Sequence, residues 1–290
     1  KSLKIKRKVS GLPALTFSTF HKGINTMLQF RTRFIGFAVA ICGLLLSNPA
    51  AQAELLQVPT GRGDTVPVYW DKVEGATATV FLFNGGKGFV PFNNAGKPRG
   101  NNFLLRSYPL FAAKKVNVVV VGTREAVAEM PDEYRVNEHP ADIRAIAKVI
   151  KEKSDAPIWL VGTSRGTVSV VAAANGDTER LYAGIVLTSS VVEPKNHYSV
   201  VRQNVDKIKV PVFVYHHAED GCRATKPSDA EWAASRFSNS SIRSFMKVSG
   251  GSEPTGDPCE AKHYHGFIGM EERAVSDIVG WINHPTANIK

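Results

Sequence analysis

The chain has 290 residues and a formal charge of +10, a balance that first suggests a nucleic-acid or membrane-surface binder. The excess is local: residues 1 to 53 carry Lys1, Lys4, Lys6, Arg7, Lys8, Lys22, Arg31 and Arg33 and no acid, leaving 28 basic against 26 acidic side chains in the rest. A body this close to neutrality has no electrostatic footprint for nucleic acid, which is not expected as a partner.

The leader has the three parts of a secretory signal: a basic stretch ending at Arg33, an apolar run from Phe34 to Leu46, and the small-residue exit Ala51-Gln52-Ala53. Cleavage is expected after Ala53, with Met27 as the true start and residues 1 to 26 as an upstream extension. The apolar run falls short of the roughly 20 residues that span a bilayer, so no stable membrane insertion is expected once the leader is removed. Cys42 lies in the run, but Ile41 stands where a lipoprotein signal takes a small residue, and a lipid anchor is not expected. The compartment implied is periplasmic or extracellular.

Glu54 to Lys290 then forms one expected α/β domain, in which apolar β-branched runs alternate with helical patterns. Thr65 to Tyr69 follows the turn-prone Gly61-Arg62-Gly63-Asp64 and reads as part of an opening hairpin. Thr77 to Phe83 and Val116 to Val121 read as strands, the second continuous enough to be buried on both faces. Asp142 to Lys153 is an amphipathic helix: Ile143, Ile146, Val149 and Ile150 share one face, while Arg144, Lys148, Lys151 and Glu152 take the other. Ala156 to Val161 is a short strand, and Thr167 to Ala174 a small-residue helix stopped by Asn175-Gly176. Gly184 to Thr188, Val210 to Tyr215 and Arg243 to Val248 complete the strands. The last helix, Glu271 to Ile282, buries Ala274, Val275, Ile278, Val279 and Ile282. Seven to eight mostly parallel strands with helices on both faces are expected. Ser189 to Lys209 is too short for a large lid domain.

Between the strand ending at Val161 and the helix starting at Thr167 lies Gly162-Thr163-Ser164-Arg165-Gly166, a G-x-S-x-G pattern. A serine on a tight strand-to-helix turn projects its hydroxyl above the sheet edge, and the flanking glycines let neighbouring backbone approach. Ser164 is therefore the candidate nucleophile. Serine needs a base, and the base needs an orienting acid, in the chain order Ser, acid, His. Asp220, beside Gly221 in the loop after Val210 to Tyr215, is the expected acid, with Glu219 and then Asp257 as alternatives. His265, in His265-Gly266-Phe267 before the last helix, is the expected base. His263 is its competitor, and His284, beyond that helix, reads as a surface residue. The oxyanion donors are expected from the backbone N–H of Arg165 and that of Gly86 or Lys87, in the loop Phe83-Asn84-Gly85-Gly86-Lys87-Gly88-Phe89. This loop lacks the G-x-x-x-x-G-K-S/T of a phosphate cradle.

No cofactor is expected. A metal reading of His216-His217 or of His263-Tyr264-His265 lacks converging third and fourth ligands in the sequence. Cys222 and Cys259 are an even pair in an exported chain, so a disulfide between the acid loop and the histidine loop is expected.

On these residues the chain resembles the α/β-hydrolase family, and in its exported, lid-poor form small bacterial esterases and dienelactone-hydrolase-like enzymes. The resemblance covers nearly all of residues 54 to 290. It departs from the lipase-esterase group in having Asn84-Gly85-Gly86-Lys87 where that group has His-Gly-Gly-Gly. It implies a serine hydrolase acting on a small-molecule carboxylic ester. A peptidase or amidase on the same fold is the alternative, and a non-catalytic binding module on a hydrolase scaffold is the alternative from another class.

Overall fold

The computed structural model describes residues 53–124 and 127–289; the leader, on which the export reading falls, lies outside the described residues. Eight strands form one sheet: β1 (Glu54–Pro59), β2 (Thr65–Asp71), β3 (Thr79–Phe83), β4 (Asn117–Val121), β5 (Ile158–Thr163), β6 (Tyr182–Thr188), β7 (Val212–His217) and β8 (Arg243–Val248). Their spatial order is β1-β2-β4-β3-β5-β6-β7-β8. β2 pairs antiparallel with both β1 and β4, and every other neighbouring pair is parallel.

Among the described residues six α-helices flank it: α1 (Phe103–Ala113), α2 (Asp132–Asn137), α3 (His139–Lys153), α4 (Gly166–Asn175), α5 (Pro227–Ser235) and α6 (Glu271–Asn283). The sheet divides the core in two. On one face Ile143, Ile146 and Ile150 of α3, Val170 and Val171 of α4 and Ala230 and Ala233 of α5 pack on Phe81, Leu160 and Val214. On the other, Phe103 and Phe111 of α1 and Val275, Ile278 and Ile282 of α6 pack on Val80, Val118 and Phe213. Strands covered on both faces must be apolar throughout, which is why β4 reads as an unbroken valine run. Among the described residues no helix is long and apolar enough to cross a membrane.

The expected mostly parallel sheet with helices on both faces and no large lid is the observed architecture; β6 and β7 are joined by two short 3₁₀ turns, Val200–Arg202 and Val205–Lys207. Strand and helix limits move by at most three residues, and α3 begins at His139 because Pro140 fits its first turn, where a missing N–H costs nothing. Three helices carried no clear sequence signal. α1 has Pro109 in its interior, which reads as a break, yet Phe103, Leu104, Ser107 and Phe111 still bury one helical face and Asn102 Oδ1 caps Leu104 N–H. α2 has six residues, and α5 buries only alanines, so neither presents a strong apolar stripe.

Candidate active site

The Ser164 turn is built by backbone crowding. Ser164 has φ 52°, a left-handed conformation costly for a residue with a Cβ. It is over-determined by its neighbours: Ser164 N–H donates to Thr188 O at 3.0 Å, and Ser164 O accepts from Thr167 N–H at 2.9 Å and Thr167 Oγ1 at 2.6 Å. The flanking glycines are needed for space. A Cβ on Gly166 would stand 2.1 Å from Phe83 O, and one on Gly162 would stand 2.7 Å from Gly166 O. Helix α4 starts directly behind the serine, so its positive end faces the same direction.

β7 ends at His217, and the following loop turns back to bury Asp220 while leaving Glu219 exposed. Asp220 Oδ2 receives His265 Nδ1 at 3.0 Å and Thr225 Oγ1 at 2.9 Å; Oδ1 accepts Cys222 N–H at 3.0 Å and lies 3.3 Å from His265 Nδ1. His216 Nε2 also reaches Oδ2, at 3.2 Å. Burial by itself pushes the Asp220 carboxyl up, but the neighbouring imidazoles of His216 and then His265 outweigh it and hold the acid well below the usual carboxylate range. Asp220 is thus an acceptor held low beside His265 Nδ1.

His265 sits in a 3₁₀ turn, Tyr264–Gly266, ahead of α6. Three contacts fix that turn: His265 O accepts Ser189 Oγ at 2.7 Å, Gly266 O accepts Arg106 Nη2 at 2.5 Å, and Phe267, at φ 56°, buries its ring beside Phe103 and Tyr215. Gly266 is required because a Cβ there would stand 2.2 Å from Ala261 O.

Ser164 and His265 line one cleft of about 560 Å³, with Gly85, Gly86 and Arg165 beside the serine. Among the described residues no hydrogen bond joins Ser164 Oγ to His265 Nε2. Gly86 lies on the cleft, whereas Lys87 is not among its lining residues. Gly86 O turns away, accepting Arg135 Nη2 at 3.1 Å and Arg165 Nη1 at 3.2 Å. Among the described residues the N–H groups of Gly86 and Arg165 find no acceptor within the protein. The Arg165 side chain is held by Asp132 at 2.8 Å and Glu129 at 3.2 Å.

The alternatives for base and acid lie elsewhere. His263 does not contact Asp220 and its ring meets Tyr264 edge-on; His284 is exposed at the end of α6; exposed Asp257 accepts the N–H of Cys259 at 2.8 Å. The adjacent His216 and His217 diverge, the first to Thr225 O at 2.7 Å and the second to Gly250 O at 2.9 Å, so they do not share a ligand. Cys222 and Cys259 are joined in a disulfide that links the Asp220 and His265 loops at the cleft wall. Sequence reasoning missed Thr225 and the role of His216 near the acid. Thr225 carries no motif, and strand periodicity alone does not say which of two adjacent histidines faces the loop.

No protein-family model matches the sequence, and no curated protein does. Solved structures do match it. A lid-less α/β serine hydrolase of Xanthomonas campestris is 14% identical over 80% of this chain and 93% of its own, at a TM-score of 0.52. An esterase of Pyrococcus furiosus is 14% identical over 80% of this chain and 90% of its own, at 0.56. The chain has the α/β-hydrolase fold. The same hydrolase fold accounts for the likeness to a puromycin-hydrolysing peptidase of Mycobacterium tuberculosis, 15% identical over 80% of this chain but 39% of that one, at 0.56.

Proposed function

We propose that the protein is a serine hydrolase that cleaves small carboxylic esters through an acyl-enzyme intermediate. The observation that carries this reading is the buried Asp220–His265 pair, 3.0 Å apart, facing the same cleft as a serine held at positive φ on a strand-to-helix turn. Ser164 Oγ attacks the ester carbonyl carbon while His265 Nε2 takes its proton. Asp220 orients the imidazole and stabilises its charged form, and the N–H groups of Arg165 and Gly86 hold the developing oxyanion. His265 then returns the proton to the leaving alkoxide as the ester C–O bond breaks. Water, activated by the same histidine, releases the acid and restores Ser164.

An ester rather than an amide is favoured by the esterase and lid-less serine hydrolase neighbours, whose own chains are spanned nearly end to end. The amidase reading draws on the mycobacterial peptidase neighbour, of which this chain spans 39%. Export is proposed from the leader pattern in residues 1 to 53 and from the disulfide, which an oxidising compartment would maintain.

Labelling with a fluorophosphonate probe tests the reading. The wild type labels at Ser164 and turns over p-nitrophenyl acetate, while Ser164→Ala does neither and loses about 10⁴-fold or more in turnover. An unlabelled, folded wild type would make the protein a binding module instead; peptide cleavage without ester turnover would make it the amidase.

A further inference from the structure

β6 leaves the sheet through a bend that touches both halves of the cleft. Thr188 O, the last carbonyl of the strand, accepts Ser164 N–H at 3.0 Å, and the hydroxyl of the next residue, Ser189 Oγ, donates to His265 O at 2.7 Å. Thr188 and Ser189 are wholly buried. Among the described residues no other hydrogen bond reaches His265 O, so this hydroxyl is the carbonyl's one partner. The bend rests on an unfavourable backbone: Ser189 has φ 43°, a left-handed conformation that glycine or asparagine adopts more readily because a Cβ crowds the neighbouring carbonyl. The other non-glycine residues at positive φ divide by place. Lys115 and Arg180 are exposed, whereas Ser164 and Phe267 belong to the nucleophile turn and to the end of the His265 turn. A strained residue persists where its surroundings over-determine it, and what holds Ser189 is the carbonyl of the candidate base.

We propose that Ser189 is a positioning residue for the reaction: with Thr188 it forms a two-residue brace that sets the separation of Ser164 and His265. The inference rests on the Ser164-His265-Asp220 reading. Asp220 and Thr225 grip the imidazole only at Nδ1, so the ring can be correctly turned and still stand too far from the serine. That distance is a matter of backbone, fixed through Thr188 O on one side and Ser189 Oγ on the other. Ser189 does not line the cleft and acts through His265. Without its hydroxyl, His265 O loses its donor and the turn that carries the base is free to shift. The loss then falls on proton transfer between Oγ and Nε2, and so on kcat, rather than on binding of the ester.

The test compares two variants that lack the hydroxyl: Ser189→Gly, whose backbone accepts φ 43° without strain, and Ser189→Ala, which keeps the strain. In both, kcat for p-nitrophenyl acetate falls roughly tenfold while KM stays within a few-fold of wild type, and the urea midpoint of the glycine variant lies above that of the alanine variant. A wild-type kcat in Ser189→Gly overturns the proposal. Failure of both variants to fold also overturns it, since the hydroxyl would then be a requirement of the fold alone. The unaltered protein provides an arm that needs no turnover: the Ser189 hydroxyl proton should be protected from exchange and visible by proton NMR, and rapid exchange with water overturns the proposal. Absence of fluorophosphonate labelling at Ser164 in wild type would sink the hydrolase reading separately, since hydroxyl exchange reads the Ser189–His265 contact whether or not the serine reacts.

Discussion

Gly85 lies directly against Ser164: a Cβ at position 85 would stand 2.7 Å from Ser164 Cβ and 3.0 Å from Thr163 O. The loop after β3 and the turn after β5 therefore touch where the proposed nucleophile and its proposed oxyanion donors meet. Gly85→Ala should push the serine out of line. We expect kcat/KM to fall by about 10²-fold with the fold retained, because small displacements of reacting groups cost that much. Unchanged ester turnover in this variant would contradict the placement.

The crowding at Gly166 is with backbone, 2.1 Å from Phe83 O, and backbone in a central strand cannot give way. Gly166→Ala should lose about 3 kcal/mol of stability in urea unfolding. Gly280, on the outer face of α6 with nothing within 4 Å of its would-be Cβ, is the contrast. Gly280→Ala should gain about 0.5–1 kcal/mol, the difference in helix propensity. Equal effects in the two variants would mean that the elbow is not sterically determined.

Replacement of the two neighbouring histidines should separate cleanly. His265→Gln removes the imidazole seated 3.0 Å from Asp220 and should cut ester turnover by about 10³-fold or more, whereas His263→Gln should stay within a few-fold of wild type. Single-turnover kinetics on both variants gives the answer, and a silent His265→Gln would move the base elsewhere.

Much of this site was legible in the chain before folding. Ser164 was visible because its turn demands glycine at both ends, and Asp220 and His265 because each lies in a loop after a strand in the order the chemistry requires. The preference for Asp220 over Glu219 becomes physical in the fold, where one is buried and the other exposed. Gly86 and Lys87 could not be separated in the sequence, since adjacent amides in a glycine-rich loop differ only once the carbonyl between them is tied down. Thr225 and His216 stayed hidden for a related reason: their place beside Asp220 comes from a loop folding back on β7, which no local pattern encodes. Helix α1 was concealed by Pro109, whose local cost is outweighed by burial of Phe103, Leu104 and Phe111.

Reduction of the disulfide should loosen the acid and histidine loops together. Its partners are 37 residues apart, and opening a loop of that size is expected to cost about 4 kcal/mol through the entropy regained by the unfolded chain. Thermal unfolding with and without reductant, and with Cys222→Ala/Cys259→Ala, measures it. Turnover should fall alongside stability, and a fall in stability alone would mean that the loops keep their positions without the bridge.

Acid sensitivity should begin at a histidine outside the cleft. His139 is buried; burial first, then the charges of Arg135 and Arg62, push it down to about 3. Below about pH 6.5 the unfolded chain takes up a proton at this residue and the folded one does not, so stability falls with pH by about 1.4 kcal/mol per unit until about pH 3. Asp220, held low in the folded protein, adds its own loss only below about pH 4. His139→Leu should flatten the urea midpoint between pH 6.5 and pH 4. An unchanged slope would place the sensitivity elsewhere.

The Gly86 carbonyl, gripped by the guanidinium groups of Arg135 and Arg165, gives the loop a property that matters before any ester arrives. Flipping this peptide would strand both guanidinium groups and swing a carbonyl towards the place where the proposed reaction collects negative charge, so the clamp opposes it. On the proposed mechanism, substrate binding then need not spend interaction energy on turning the loop, and more of it remains for the transition state.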